Sequence, residues 1–154
     1  MTRFEGQLVA IYIAPTRSAP MQHVENVMAE AGCGLVGDRN HRPSGRTRSK
    51  PHGEVTLIEN EAVETAAADY GLTFEAASSR RNLVTEGVPL NQLVGRTFRV
   101  GSVVLRGIEL CEPCSHLEKL TVPGIQKALR HRGGLRAQIV NGGTLTVGDR
   151  VMPA

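Results

Sequence analysis

The sequence predicts a mainly β (α+β) protein, a closed or nearly closed barrel of short strands with a few peripheral helices. Three observations carry that expectation. Val- and Ile-rich runs of strand length recur along the chain, 17 glycines punctuate them, and only two segments show convincing helical spacing. At 154 residues the chain is read as one domain, 1–154, long enough to bury about two thirds of the surface its unfolded form exposes.

Gly6 to Ala14 is rich in Val and Ile and stops at Pro15, which reads as the first strand, and Met21 to Met28 is a candidate second strand. Ala31 to Arg39 carries three glycines, a density suited to a tight corner or a close backbone approach. Pro43, Gly45, Pro51 and Gly53 then mark a loop without apolar periodicity. Glu54 to Ile58 reads as a strand. From Asn60, the positions Ala62, Val63, Ala66, Ala67 and Tyr70 recur at helical spacing before Gly71, so a helix ends there.

Asn82 to Thr85 is a short strand, and Pro89 to Val94 a single helical turn. Thr97 to Val100 and Val103 to Leu110 flank Gly101-Ser102, the pattern of a hairpin with a tight turn. Pro123 opens a short helix to about His131, with Thr121 as its cap and Gly133-Gly134 as its end. Leu135 to Val140, Thr144 to Val147 and Arg150 to Met152 complete the strands.

The net charge is +3, but five Lys or Arg fall between Arg39 and Lys50, so an anionic partner near that loop is one reading and a solvated loop the other. Five aromatic residues and no Trp leave few platforms for stacking bases, which disfavours single-stranded nucleic acid. Three cysteines and no apolar leader argue against a secreted disulfide framework and for a reduced, cytoplasmic protein. No apolar run approaches the roughly 20 residues that span a bilayer.

Chemistry is expected at Cys111-Glu112-Pro113-Cys114, where a strand runs into a polar stretch containing His116. Two thiols at this spacing can ligate a metal, cycle as a disulfide, or present one reactive thiolate. Cys33 and His116 would complete a Cys3His zinc set, but no second paired motif accompanies them. A thioredoxin-like pair opens a helix in a βαβ setting, whereas this one follows a hairpin. Gly37-Asp38-Arg39 and Arg80-Arg81-Asn82 offer forked donors suited to phosphate, and Arg132-Gly133-Gly134 is a third candidate for anion contact. A salt bridge, a solvated strand edge and a helix cap are the respective structural readings of those three segments.

Taken in order, Gly34-Leu35-Val36-Gly37-Asp38-Arg39, Val55-Thr56-Leu57-Ile58-Glu59, Arg80-Arg81-Asn82-Leu83-Val84, Glu86-Gly87-Val88-Pro89-Leu90, Leu93-Val94-Gly95, Cys111-Glu112-Pro113-Cys114, Arg132-Gly133-Gly134 and Val147-Gly148-Asp149 resemble the MOSC family, named for the molybdenum-cofactor sulfurase C-terminal domain. The resemblance spans nearly the whole chain and suggests a small stand-alone member. It implies a strand-rich barrel and a pocket for the molybdenum cofactor, a pterin dithiolene bearing a phosphate. It also implies a reactive cysteine at Cys114, acting as metal ligand or persulfide carrier.

By the same resemblance, Arg39, Arg80 and Arg81 would meet the phosphate and pterin oxygens, Asn82 the pterin edge, and Asp38 would orient Arg39, while Arg132 and Gly133 stay the candidates for anion contact that the glycine pair suggests. Two activities follow as expectations: reduction of small N-hydroxylated substrates with electrons from an external reductase, or sulfur relay from a cysteine desulfurase. A basic barrel that binds an anionic partner through residues 39 to 52, and a zinc-stabilised structural domain, are the alternatives.

Overall fold

The computed structural model describes residues 3–43 and 53–154, so most of the expected basic loop, 44–52, lies outside the described residues. Eleven strands are present: β1 (Gly6–Ile13), β2 (Gln22–Val24), β3 (Asn26–Glu30), β4 (Gly34–Leu35), β5 (Val55–Glu59), β6 (Leu83–Glu86), β7 (Thr97–Val100), β8 (Val103–Leu110), β9 (Leu135–Asn141), β10 (Gly143–Thr146) and β11 (Arg150–Pro153). Seven of them close a ring in the order β11-β7-β8-β9-β5-β6-β1, shut by antiparallel pairing of β1 with β11, and β2 hangs on the far half of β1. The barrel expected from the strand and glycine pattern is therefore closed. A separate three-stranded sheet, β10-β3-β4, contributes Val27, Ala29, Leu35 and Leu145 to the same apolar core as the barrel.

Alternation along the strands builds two apolar layers. Leu57 on β5 and Leu83 on β6 belong to the inner core, with Leu8, Phe98, Leu105 and Leu135. Their neighbours Ile58 and Val84 belong to an outer cluster with Val63, Ala66, Leu117, Ile125 and Leu129 of the helical segments. Both faces of β5 and β6 are thus buried. Unlike every other named pairing, β5–β6 is parallel, and α1 (Asn60–Tyr70) makes the crossover between them. Gly71 caps α1 in the left-handed conformation, as its position predicts.

Four expectations change. Met21–Met28 is not one strand but parts of β2 and β3, which join different sheets and separate at Glu25. The glycine-rich corner contains a two-residue strand, β4, paired with β3. A helix unannounced by periodicity, α2 (Ser115–Leu120), begins directly after Cys114. The final helix, α3 (Ile125–Ala128), is shorter than 123–131 and has Gly124 at its N-cap, while the Thr121 hydroxyl donates to Leu117 O at 2.7 Å at the end of α2 instead of capping α3.

Candidate functional site

Arg80-Arg81-Asn82 leads into β6, and each side chain is held differently. Asn82 is fully buried: its amide oxygen accepts from Thr56 N and Thr56 Oγ1, both at 3.1 Å, and its amide nitrogen donates to Tyr12 O at 3.1 Å. The side chain ties β6 to β5 and β1. Arg80 has a left-handed backbone, φ 58°, rare for a residue with a side chain and found where surroundings over-determine it. Its guanidinium supplies that restraint by donating to Ala19 O at 2.8 Å and Arg17 O at 2.9 Å.

Arg81 is buried and clamps two other segments, donating through Nε to Gly133 O at 2.7 Å and through Nη2 to Cys111 O at 2.9 Å. Cys111 N donates in turn to Gly134 O at 2.7 Å. Glycine is required at this seam: a Cβ on Gly133 would lie 2.5 Å from Cys111 O and 2.9 Å from Pro113 Cδ. On the solvent side, Glu112 accepts from His131 N at 2.7 Å and pairs with His131 Nδ1 at 2.9 Å. The cysteine loop is therefore buckled to the 131–134 turn from both sides.

Asp38 completes the frame. Its carboxylate accepts from Ala14 N at 3.1 Å and from Arg39 Nη1 at 3.0 Å, and Arg39 Nη2 reaches Arg80 O at 3.1 Å. The Asp38 carboxylate and the Arg80 carbonyl therefore hold the Arg39 guanidinium between them.

These elements surround a cleft of about 480 Å³ lined, among the described residues, by Arg17, Arg39, Arg42, Arg80, Arg81 and Arg136, with Cys111, Cys114 and His116, and by no Asp or Glu. Cys114 is exposed, whereas Cys111 is buried; both are free thiols. His116 Nε2 is buried with no hydrogen-bond partner among the described residues. An unmet buried polar atom in a cleft is a feature that a ligand can explain.

The electrostatics point the same way. Burial pushes the Arg81 guanidinium down from its usual range; Cys111 and Cys114 pull it back up, and Arg136 and Arg39 push it further down. Burial also lowers Arg80, helped by Arg39 and opposed by Asp38. Guanidinium groups stay charged in proteins, so gathering them here is unfavourable until an anion joins them.

Of the sequence candidates, the structure brings Arg39, Arg80, Arg81 and Cys114 to one cleft, with Asp38 behind them. It does not bring Asn82, Arg132 or Gly133 to the lining. Arg132 pairs with Asp69 at 3.0 Å and lies 6.0 Å from the Tyr70 ring centre, away from the cleft. Gly133 acts through its carbonyl on Arg81 and through the space it leaves for the cysteine loop. Among the described residues no group of three or more His, Cys, Asp or Glu side chains could hold a metal ion, which leaves a Cys3His zinc set without structural support.

Sequence reasoning missed Arg17 and Arg136. The signal for Arg136 was available, since Leu135 and Ala137 belong to the inner core and the residue between them must face outward. Thr56, its register partner on β5, lines the same outer cleft. Nothing local marks Arg17, which precedes β2 in an irregular segment.

Comparison with known proteins agrees with the fold. The chain is similar in structure to the YuaD protein from Bacillus subtilis, with a TM-score of 0.82 at 15% identity over 99% of this chain and 98% of that one. YiiM from Geobacillus stearothermophilus superposes with a TM-score of 0.75 at 15% identity, over 97% of this chain and 75% of that one. YiiM from Escherichia coli gives 0.68 at 17% identity, over 100% and 70%. At such identities these likenesses show the fold. A search of the curated proteins finds no match. The MOSC domain model matches residues 44–152, well over half of the chain, and on that match the chain belongs to the MOSC domain family.

Proposed function

We propose that this chain binds the molybdenum cofactor in the arginine-lined cleft, with the Cys114 sulfur as the protein's ligand to the metal. The observation that carries the reading is the convergence of an exposed thiol, a buried unpartnered imidazole nitrogen and six guanidinium groups on one cleft whose lining has no carboxylate. A sulfur-rich metal centre bearing a phosphate fits that donor set, because a soft thiolate suits the metal and forked donors suit the phosphate.

Arg39, Arg80 and Arg81 would hold the cofactor's oxygens. Arg80 and Arg81 each commit two of five guanidinium N–H groups to backbone carbonyls, which leaves three directed donors on a rigid base. His116 Nε2 would gain its missing partner from the bound group. Arg81, fastened to Cys111 O, would keep the loop carrying Cys114 against the cleft. When bound, the cofactor would supply redox chemistry suited to removing oxygen from small N-hydroxylated substrates, with electrons from a separate reductase.

Metal analysis and released-pterin fluorescence on protein from a cofactor-making host test the reading. Near-stoichiometric molybdenum and pterin are expected in the wild type and neither in Cys114→Ser. Since Cys114 is exposed, that variant should unfold within about 0.5 kcal/mol of the wild type. A wild type without either component, and an apo protein that takes up none, would overturn it. A Cys114 carrying one extra sulfur by mass spectrometry in such protein would instead assign persulfide transfer.

A further inference from the structure

Charge in the cleft exceeds what a single phosphate can offset. A phosphate monoester brings about two negative charges and Asp38 pairs with Arg39, which together leave about half of the six guanidinium charges unopposed. Asp38 is engaged behind Arg39, and Glu109, opposite Arg136 in the β8–β9 register, does not line the cleft.

The arginines also divide by how they are held. Arg39, Arg80 and Arg81 are fixed through hydrogen bonds to Asp38 or to backbone carbonyls. Among the described residues, no hydrogen bond or ion pair engages the guanidinium of Arg17, Arg42 or Arg136. Arg17 and Arg42 are exposed and Arg136 half-buried, so this second set is accessible from solvent. Fixed donors suit a resident group, and free ones suit a ligand that comes and goes.

Resting on the cofactor reading above, we propose that the cleft takes a second anion beside the cofactor phosphate, and that this anion is the substrate. The class is a small molecule carrying a phosphate or carboxylate group, met by Arg17, Arg42 and Arg136. Forked guanidinium donors pair with either group, and screening of the exposed pair makes the affinity salt-dependent.

The test titrates protein from a cofactor-making host, with its molybdenum content measured, against three probes that share one ring: phenyl phosphate, benzoate and neutral benzamide. Calorimetry should show an anion binding at least about tenfold more tightly than benzamide, the stronger anion identifying the source. In Arg17→Gln/Arg136→Gln that anion should lose about tenfold in affinity while benzamide and molybdenum content stay unchanged; tenfold corresponds to about 1.4 kcal/mol. Benzamide binding as well as both anions, or anion affinity unchanged in the double variant, overturns the proposal. So does loss of molybdenum in the double variant alone, which would assign these arginines to the cofactor phosphate. Should the wild type carry no molybdenum, the cofactor reading fails, and an arginine-dependent preference for an anion would still establish the anion site.

Discussion

Two of the clefts on the surface of this barrel are nearly equal in size and unlike in chemistry. One, of about 480 Å³, is the arginine-lined cleft; the other, of about 500 Å³, is lined by Phe4, Gln92, Leu93, Gly95, Arg96, Thr97, Pro153 and Ala154. Volume does not separate them, but chemistry and construction do. The second cleft has one charged side chain and no Cys or His, and its walls come from the ends of the chain and the run from Gln92 to Thr97. Around the first, guanidinium groups are locked to backbone carbonyls far away in sequence: Arg81 to those of Gly133 and Cys111, Arg80 to those of Arg17 and Ala19, Arg39 to that of Arg80. A site differs from a hollow in having convergent polar groups that cannot relax away.

The largest effect should come from the clamp. Arg81→Met would remove two charge-assisted bonds to buried carbonyls, so denaturant unfolding should show a loss of about 3 kcal/mol or more. Arg81→Lys should recover little, because one ammonium cannot span both carbonyls in the fork's geometry. If Arg81→Met unfolds like the wild type, the first cleft is no better braced than the second.

A matched pair of glycine substitutions sharpens the contrast. Gly133→Ala forces a Cβ into Cys111 O and Pro113 and should cost about 1–3 kcal/mol. It should also raise the rate at which Cys114 reacts with a thiol reagent, as the loop is pushed off its seat. Gly95→Ala on the second cleft meets no atom within 4 Å and should cost about 1 kcal/mol, for its positive φ alone. Thiol reactivity should not change there.

The smallest effect concerns Glu59, whose carboxylate accepts from Leu90 N at 3.2 Å and so anchors the 3-10 turn Leu90–Leu93 that walls the second cleft. Burial, with a minor push from Glu61, raises its pKa above the ordinary 4.5, against the lowering influence of the Leu90 N–H. Because the folded value is raised, the proton's contribution to stability is fully present below the unfolded value and lost as pH rises through the folded one. Glu59→Gln should therefore flatten the decline in unfolding midpoint as pH rises above about 4.5. An undiminished slope in the variant would show that Glu59 does not titrate in that window.

Much of the fold was legible in order. Strand periods, the α1 pattern ending at Gly71 and the Gly101-Ser102 hairpin follow from local chemistry, and all appear in the structure. The missed helix α2 is six residues long with a single buried residue, Leu117, too short for a periodic signal. Its presence also changes the setting of the cysteines, since Cys114 stands at a helix start after all, although its exposure and the burial of Cys111 make the two thiols unequal.

The sequence by itself determined the barrel class, the family resemblance and the prominence of Cys114, because strand alternation, glycine placement and ordered motifs are local properties of a chain. Which arginines face the cleft, and which are girders, only the tertiary structure decided. Asn82 and Arg132 read as donors in one dimension, yet their groups are taken up by Tyr12 and Thr56 in one case and by Ala128 and Asp69 in the other. Arg17, silent in the sequence, and Arg136, marked there only as an outward-facing strand residue, reach the cleft because loop closure and strand register put them there. Side-chain chemistry is written residue by residue, but a hydrogen bond between positions 81 and 133 exists only once the chain has closed on itself.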